Sequence, residues 1–352
     1  MKGDYTFAEI TTQAEAWADA LHFFESVRAE LLHAWAEISP RQILFIGCGS
    51  TYYLSQTAAA LFQGLTGVTA RACPASELLW FASQVVADPR QTLLVAISRS
   101  GTTTETLAAM GKFRELEGRA IWGITCYPGT PLAQETELAL IAEAAQERSI
   151  AQTRSFTSML VLIQALAAWI AGIDTSCLSE LPRHGQGLLE KSTPLVEKLG
   201  QRADWDQFVF LGSGSQYGVA NEAMLKMKEM SLSHSEAFHF LEYRHGPKSM
   251  AGEQTLVVGL LSREAYAHEQ QVLSEVSGLG AHILALSPNK DGPGFTIHLP
   301  SHFPSWAMPV LYLPPLQLLA YYRAVSKGLD PDHPRHLDPV VFLEGLVSTK
   351  NK

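Results

Sequence analysis

Two periods of hydrophobic spacing divide the chain. Between residues 7 and 38, Phe7, Ile10, Ala14, Trp17, Leu21 and Phe24 recur at helical spacing, which predicts a helix closed off by Pro40. Short, unbroken apolar runs follow. Ile43-Leu44-Phe45-Ile46 ends at Gly47-Cys48-Gly49-Ser50, residues 93–97 end at Ser98-Arg99-Ser100-Gly101, and residues 120–125 follow a helical stretch over 103–117. Apolar runs of strand length alternating with helices predict βαβ units and a parallel sheet. Residues 159–173 are interrupted by Gln164 and fall short of the roughly 20 residues of a membrane span, so they predict a core helix and no membrane partner.

The second half repeats this plan. Residues 208–211 lead into Gly212-Ser213-Gly214-Ser215, residues 256–261 lead into Ser262-Arg263-Glu264-Ala265, and residues 282–286 stand where 120–125 stood. Repetition of this length predicts two similar α/β domains in tandem. The expected layout is an N-terminal helical segment (1–39), a first domain (40–175), a linker (176–200), a second domain (201–328) and a tail (329–352). In the linker Pro182, Gly185, Gly187 and Pro194 interrupt two helical stretches; in the tail Pro331, Pro334 and Pro339 predict irregular structure. Matching the two serine loops sets Ser100 and Gly101 against Glu264 and Ala265. A carboxylate repels an anion, and loss of a glycine hinders close backbone approach. Phosphate is therefore expected in the first loop only.

Composition narrows the classes. The 352 residues fit two domains of roughly 150 each. Lys and Arg number 26 against 35 Asp and Glu, a net charge of −9 that argues against a nucleic-acid partner, which needs clustered basic charge. An apolar content of 47% and a charged content of 17% suit a chain with a large core. Cys48, Cys73, Cys126 and Cys177 are scattered without a CxxC pair and read as buried thiols of a reducing compartment. Residues 1–20 hold Asp4, Glu9, Glu15 and Asp19 and no apolar signal-peptide core, so a cytoplasmic protein is expected.

Ser98-Arg99-Ser100-Gly101-Thr102-Thr103-Thr104-Glu105-Thr106 lies between a buried strand and a helix. Hydroxyl donors, an arginine, a turn glycine and the positive end of a helix suit a phosphate monoester. The same residues also read as an ordinary helix cap, with Thr102 or Thr103 capping and Glu105 or Thr106 completing a capping box. The turns at Gly47 and Gly212 lack the third glycine of a dinucleotide fingerprint, and neither half has a Walker lysine loop. In a doubly wound sheet, however, Gly47, Ser50, Thr51 and the Ser98 loop all open at the carboxyl ends of strands, where ligands bind.

A helix is predicted over 217–232. Ala220, Ala223, Met224, Met227 and Met230 form its apolar stripe, with Glu222, Lys226 and Glu229 on the other side. That side reads as a solvated face with a Glu222–Lys226 pair, or as part of a site. The following stretch, Ser235-Glu236-Ala237-Phe238-His239-Phe240-Leu241-Glu242-Tyr243-Arg244-His245-Gly246-Pro247-Lys248, packs two histidines, acids and bases among aromatics. Pro247 suits the first turn of a further helix, leaving His245 on a connection where it is available as an acid or base. No HExxH and no other persuasive ligand spacing indicates a metal site.

Together these motifs resemble the double-SIS (sugar isomerase) phosphosugar isomerase/deaminase family, in particular the isomerase module of glucosamine-6-phosphate synthase. The resemblance runs from Glu9-Ile10 and Gln13 to Asp332-His333-Pro334-Arg335-His336-Leu337, and rests on Gly49-Ser50-Thr51-Tyr52, Ser98-Arg99-Ser100-Gly101-Thr102-Thr103, Leu225-Lys226-Met227-Lys228-Glu229 and Glu242-Tyr243-Arg244-His245-Gly246-Pro247. It implies two tandem SIS domains, each a flavodoxin-like three-layer αβα sandwich with a parallel sheet. It also implies that Thr51, Ser98, Ser100 and Thr103 hold a sugar 6-phosphate, with Arg99 in place of the synthase's glutamine and Ser50 lining the site. Glu229 is implied as the base moving a proton between carbons 1 and 2, His245 as the ring-opening acid–base supplied by the partner subunit of a homodimer, and Lys226 as a lysine near the sugar. Residues 147–156 match a substrate-lining loop, with Ile150 and Gln152 as contacts.

Two departures separate this chain from the synthase. It shows no N-terminal cysteine nucleophile and no room for a glutaminase domain, so glutamine is not the expected nitrogen source. The synthase's imine-forming tail lysine falls at Pro339, which has no amine; His239 and Lys248 are the candidates to replace it. The expected activity is a cofactor-free aldose–ketose reaction on glucosamine or galactosamine 6-phosphate with release of ammonia. The alternatives are a fructose–amino acid 6-phosphate deglycase and a non-catalytic sugar-phosphate sensor.

Overall fold

A computed structural model describes residues 2–289, 294–338 and 343. Its first sheet contains β1 (Gln42–Gly47), β2 (Thr69–Pro74), β3 (Thr92–Ile97), β4 (Ala120–Thr125) and β5 (Leu138–Ile141), in the order β2-β1-β3-β4-β5. Its second contains β6 (Gln207–Leu211), β7 (His234–Phe238), β8 (Thr255–Leu260), β9 (His282–Ser287) and β10 (Phe295–His298), in the order β10-β9-β8-β6-β7. Every pairing is parallel. Counted within each repeat, both sheets have the order 2-1-3-4-5 of flavodoxin-like folds. The expected pair of tandem α/β domains is what the structure contains.

Burial explains why the central strands read as solid apolar runs. β3 and β8 are buried at every residue, because helices cover both faces of a parallel sheet. The edge strands β2, β5, β7 and β10 are partly exposed, with polar positions such as Arg71 and His234. Their signal is correspondingly weak, and the apolar runs did not disclose them. The predicted core helix is Arg154–Ile170, buried from Ser155 to Ala168 and followed by Gly172 at φ +70°. Among the described residues no helix is long and apolar enough to cross a membrane. Cys73 and Cys126 are buried, Cys48 and Cys177 half-buried, and all four are free.

The chain divides into two compact units. One surrounds the first sheet and is built mainly of Glu15–Gln146 and Arg154–Ser179; the other surrounds the second sheet and combines residues 2–14 with Glu147–Thr153 and Glu180–Leu337. The single helix expected over 7–38 is accordingly two, Asp4–Thr11 and Gln13–Ile38. At the break, Thr11 and Thr12 turn their hydroxyls back onto the carbonyls of Phe7 and Ala8, at 2.9 and 2.8 Å. The first helix begins at Gly3, whose φ of +83° and closeness to Pro331 leave no room for a side chain. Its cap comes from the far end of the sequence: the buried Asp332 carboxylate accepts from Thr6 N (2.7 Å), Thr6 Oγ1 (2.7 Å) and Tyr5 N (3.2 Å).

The expected pair of interrupted helical stretches is also corrected. Residues Leu181–Gly200 form one helix. Pro182 sits in its first turn, where the missing N–H is harmless, and Pro194 lies on the exposed side. The buried side carries Leu181, Leu188, Leu189, Val196 and Leu199 and packs on the helix Leu313–Ser326, so tertiary burial overrides the local breakers. Residues 329–338 contain no helix or strand, as expected of the tail; Pro339 lies outside the described residues.

Replacing Asp332 with Ala should remove three hydrogen bonds and the cap of Asp4–Thr11. Loss of a cap is worth about 1–2 kcal/mol, so the urea midpoint should fall measurably, with Asp332→Asn falling less.

Candidate active site

The first candidate region lies in the first-sheet unit, at the carboxyl ends of the adjacent strands β1 and β3. Beyond β3 the chain tightens through Gly101, at φ +66°, where a Cβ would lie 2.1 Å from Thr130 Oγ1. Gly101 N donates to Ser98 Oγ (3.1 Å), Ser98 Oγ and Thr103 Oγ1 are 2.8 Å apart, and Thr102 donates to Ser100 Oγ from its amide (3.2 Å) and hydroxyl (3.0 Å). Ser98, Ser100 and Thr103 thus converge around one turn. Thr103 is the N-cap of the helix Thr104–Glu115 but makes no side-chain cap bond. Of the two readings of this loop, the capping box is therefore not formed. The positive end of the helix is left without a cap from Thr103, as an anion site requires.

Arg99 is buried, its carbonyl accepting from Thr125 Oγ1 (3.0 Å) and Cys126 N (3.1 Å). Ser50 and Thr51 open the helix Ser50–Thr66 beyond β1. Thr51 has a structural task of its own: its hydroxyl accepts from Cys48 N and donates to Cys48 O, both at 2.9 Å. Gly47 is obligatory beside it, since a Cβ there would come within 2.5 Å of the Thr51 carbonyl.

The corresponding turn of the second sheet follows the sequence match: Ala265 N donates to Ser262 Oγ (3.1 Å) as Gly101 N does to Ser98 Oγ. It starts one residue further beyond its strand, since the bond from Ser98 N to Ile124 O has its equivalent in that from Leu261 N to Leu286 O. The donors of this second loop are already occupied. Fully buried Glu269 accepts from Ser262 N (2.6 Å) and Ser262 Oγ (3.0 Å), with Ser213 of the β6 turn bonded to it as well. Burial pushes its carboxyl above the usual carboxylate range.

The second candidate region, in the second-sheet unit, is the helix Gln216–Ser231. The solvated-face reading fails here: Glu222 is 0% and Lys226 1% exposed, inside the same packing as Met227 and Met230. Lys226 Nζ lies 3.3 Å from Glu222 Oε1 and hydrogen-bonds Glu229 Oε2. Burial alone would lower the lysine pKa, but the carboxylates of Glu222 and Glu229 outweigh it, and the ammonium is held above its ordinary value. Glu229, 20% exposed, is the member of this cluster that reaches solvent.

His245 follows the 3-10 turn Glu242–Arg244, its N–H on Glu242 O (3.0 Å) and its imidazole exposed. Pro247 begins a second 3-10 turn, not an α-helix. The connection is fastened to the helix Tyr266–Gly278 by Arg244, which forks onto Glu275 at 2.6 and 3.1 Å, and by Lys248, 3.6 Å from the same carboxylate. Lys248 is thereby committed. His239 stacks on Tyr217, ring centroids 3.7 Å apart, and burial lowers its pKa. Among the described residues no hydrogen bond or ion pair joins His245 to Lys226 or Glu229.

Ile150 and Gln152 lie on a segment held in shape at several points within the second-sheet unit. Glu9 accepts from Arg148 N (2.5 Å), Ser149 N (3.3 Å) and Ser149 Oγ; Glu147 accepts from Thr153 N (2.6 Å) and Thr153 Oγ1 (2.8 Å); and Ile150 N donates to Asp332 O (3.1 Å). Gln152 Oε1 is buried with no hydrogen-bond partner among the described residues. These supports were invisible in the sequence, because Glu9 and Asp332 lie far from the loop they organise.

Comparison with known proteins agrees with this architecture. The SIS domain matches residues 38–169 and 203–294, one match over each sheet. The isomerizing glutamine–fructose-6-phosphate aminotransferase of Pseudomonas syringae pv. tomato is 32% identical over 342 residues, 92% of this chain and 54% of that protein. The chain spans about half the length of the curated relatives it matches. Among solved structures, a glucosamine-6-phosphate deaminase from Thermotoga maritima has a TM-score of 0.82 and 32% identity, covering 97% of this chain and all of that one. A tagatose-6-phosphate ketose/aldose isomerase from Escherichia coli has a TM-score of 0.86 and 25% identity over 95% of this chain and 98% of that one. The chain belongs to the SIS domain family, as its motifs implied, and its solved neighbours are phosphosugar isomerases and a deaminase.

Replacing Lys226 with Met should leave the Glu222 carboxylate buried without its counter-charge and reduce unfolding free energy by about 3–5 kcal/mol. Adding Glu222→Gln should recover most of that loss in chemical denaturation. In the wild type the stabilisation from the raised lysine pKa is complete below the ordinary value of 10.5 and is lost as pH rises through the folded value.

Proposed function

We propose that the protein is a phosphosugar isomerase/deaminase that converts glucosamine 6-phosphate or galactosamine 6-phosphate, with water, to the corresponding ketose 6-phosphate and ammonia. The observation that carries this reading is Glu229, a partly exposed carboxylate anchored by a buried ammonium. Such a group is positioned to accept a carbon-bound proton without swinging away. The similarity to a glucosamine-6-phosphate deaminase along the full length of that chain supports ammonia as the leaving group.

In this mechanism Ser98, Ser100, Thr103 and the uncapped helix end hold the phosphate, with Ser50, Thr51 and Arg99 around them. His245 opens the ring by moving a proton between the hemiacetal hydroxyl and the ring oxygen. Glu229 then takes the proton from carbon 2 and returns it to carbon 1, while the substrate's own ammonium gives up one proton and the carbon 1 oxygen gains one, leaving an iminium at carbon 2 and a hydroxyl on carbon 1. Water adds there, ammonia departs, and the ketose carbonyl forms. Lys226 holds Glu229 oriented through their ion pair. Ile150 and Gln152 line the sugar, and the buried Gln152 Oε1 suits a substrate hydroxyl as donor. No cofactor is required by any of these steps.

The decisive assay is ammonia release from the two amino sugar phosphates. Glu229→Gln should reduce turnover by at least about 100-fold while keeping the thermal shift with sugar phosphate; retained turnover would remove Glu229 from its role. Amino acid release from a fructose–amino acid 6-phosphate would instead identify a deglycase. A thermal shift without any product would identify a sensor.

The exposed position of His245 suits service to a neighbouring protomer in a homodimer. Inactive Glu229→Gln and His245→Ala proteins, dissociated and reassembled together, should then recover about a quarter of wild-type activity, because half the dimers are mixed and each holds one intact site. No recovery would place His245 in its own subunit's site.

A further inference from the structure

A second cluster of reactive side chains lies within the second-sheet unit and has no part in the chemistry above. Glu180 precedes the helix Leu181–Gly200, and His184 falls one turn later on the same side. His302 comes from the loop beyond β10. Glu180 Oε2 is 3.4 Å from His184 Nε2 and 3.7 Å from His302 Nε2, and the three ligand atoms all lie within 4.8 Å of one another. Around a tetrahedral ion with bonds of about 2.0–2.2 Å, neighbouring donor atoms stand about 3.4 Å apart. The observed spacing is therefore close to a coordination shell already.

Two further features fit a cation at this point. Buried Phe303 packs against both imidazoles, edge-on to His184 at 5.4 Å and tilted against His302 at 4.3 Å, giving the two rings a common apolar support. The Arg183 guanidinium stands 3.0 Å from His184 Nε2 and 3.3 Å from Glu180 Oε2. A guanidinium can only donate, so that contact suits the tautomer with the lone pair of His184 on Nε2, the nitrogen nearest Glu180.

We propose that Glu180, His184 and His302 bind a divalent cation of the zinc class, with Arg183 as the resident cation it displaces. Two imidazoles and one carboxylate select zinc, cobalt or nickel over magnesium or calcium, which prefer all-oxygen shells. Three protein ligands leave a fourth position for water or an anion. A cavity of about 400 Å³ lined by His184, His302, Lys191 and His298 adjoins it. Bound there, the ion would fasten the start of Leu181–Gly200 to the loop after the edge strand β10. The sequence reading found no ligand spacing because His302 is brought in by the fold from a distant loop.

The test uses the full chain stripped with chelator and titrated with Zn²⁺ alone, followed by calorimetry and thermal unfolding, with Co²⁺ as a spectroscopic probe. The expected result is one equivalent bound, a raised unfolding temperature, and the intense visible bands of four-coordinate cobalt. His302→Ala changes an exposed side chain and should fold normally. It should weaken Zn²⁺ binding by more than about tenfold, since even groups that only orient a ligand contribute that much. Arg183→Ala should tighten binding. Equal uptake by wild type and His302→Ala, or Mg²⁺ binding as strong as Zn²⁺, would overturn the proposal.

Discussion

In each sheet the parallel ladder between the first and third strands of the repeat, β1 with β3 and β6 with β8, forces the chain to return to the same edge before every new strand. Tight turns cannot do this, so each strand is followed by a crossover, and helices end up covering both faces. The interiors of the central strands then have little place for polar side chains. Reactive groups are displaced to the loops leaving the carboxyl ends and to the first turns of the helices beyond. Ser98, Ser100 and Thr103, like Ser213 and Ser262 in the other repeat, occupy such positions. Glu222, Lys226 and Glu229 are the exception, since a helix interior holds them only by pairing opposite charges out of water.

The two repeats solve one local problem differently. A serine-rich turn facing a helix end gathers amides and hydroxyls that need an acceptor. In the second sheet Glu269 supplies one from within the fold and is fully buried in doing so. In the first, Thr103 turns its hydroxyl to Ser98 and leaves the helix without a side-chain cap of its own. The two loops thus contrast a turn satisfied from within the fold with one suited to an external anion.

Much of this was legible in the sequence, and the failures have physical causes. Central strands and their glycine turns were readable because burial on both faces demands unbroken apolar residues. The edge strands were not, because half their surface is wet and their composition resembles loops. Pro194 suggested a break, yet the apolar side of Leu181–Gly200 kept the helix whole. Lys226 and Glu222 looked like a solvated pair because charge spacing alone is the same for an exposed pair and a buried one. The serine turns at Ser98 and Ser262 were legible because both make the same side-chain bond to the amide three residues on, whereas the extra residue before Ser262 shows only in the strand register. Site residues close together in sequence, such as Ser98 to Thr103, were found; those assembled from remote segments, such as Glu9 with Ser149, required the fold.

The cap that Asp332 places on the helix Asp4–Thr11 also bears on how the chain is made. Synthesis proceeds from the amino end, and the residue that caps the first helix follows Thr6 by 326 positions. All five strands of the first sheet and its helix Arg154–Ile170 have left the ribosome well before that. The first-sheet unit can therefore close while translation continues, whereas the opening helix must wait, uncapped, for the last part of the unit to which it belongs. Translation order makes the helix around Thr6 one of the last pieces of its unit to gain its full set of bonds.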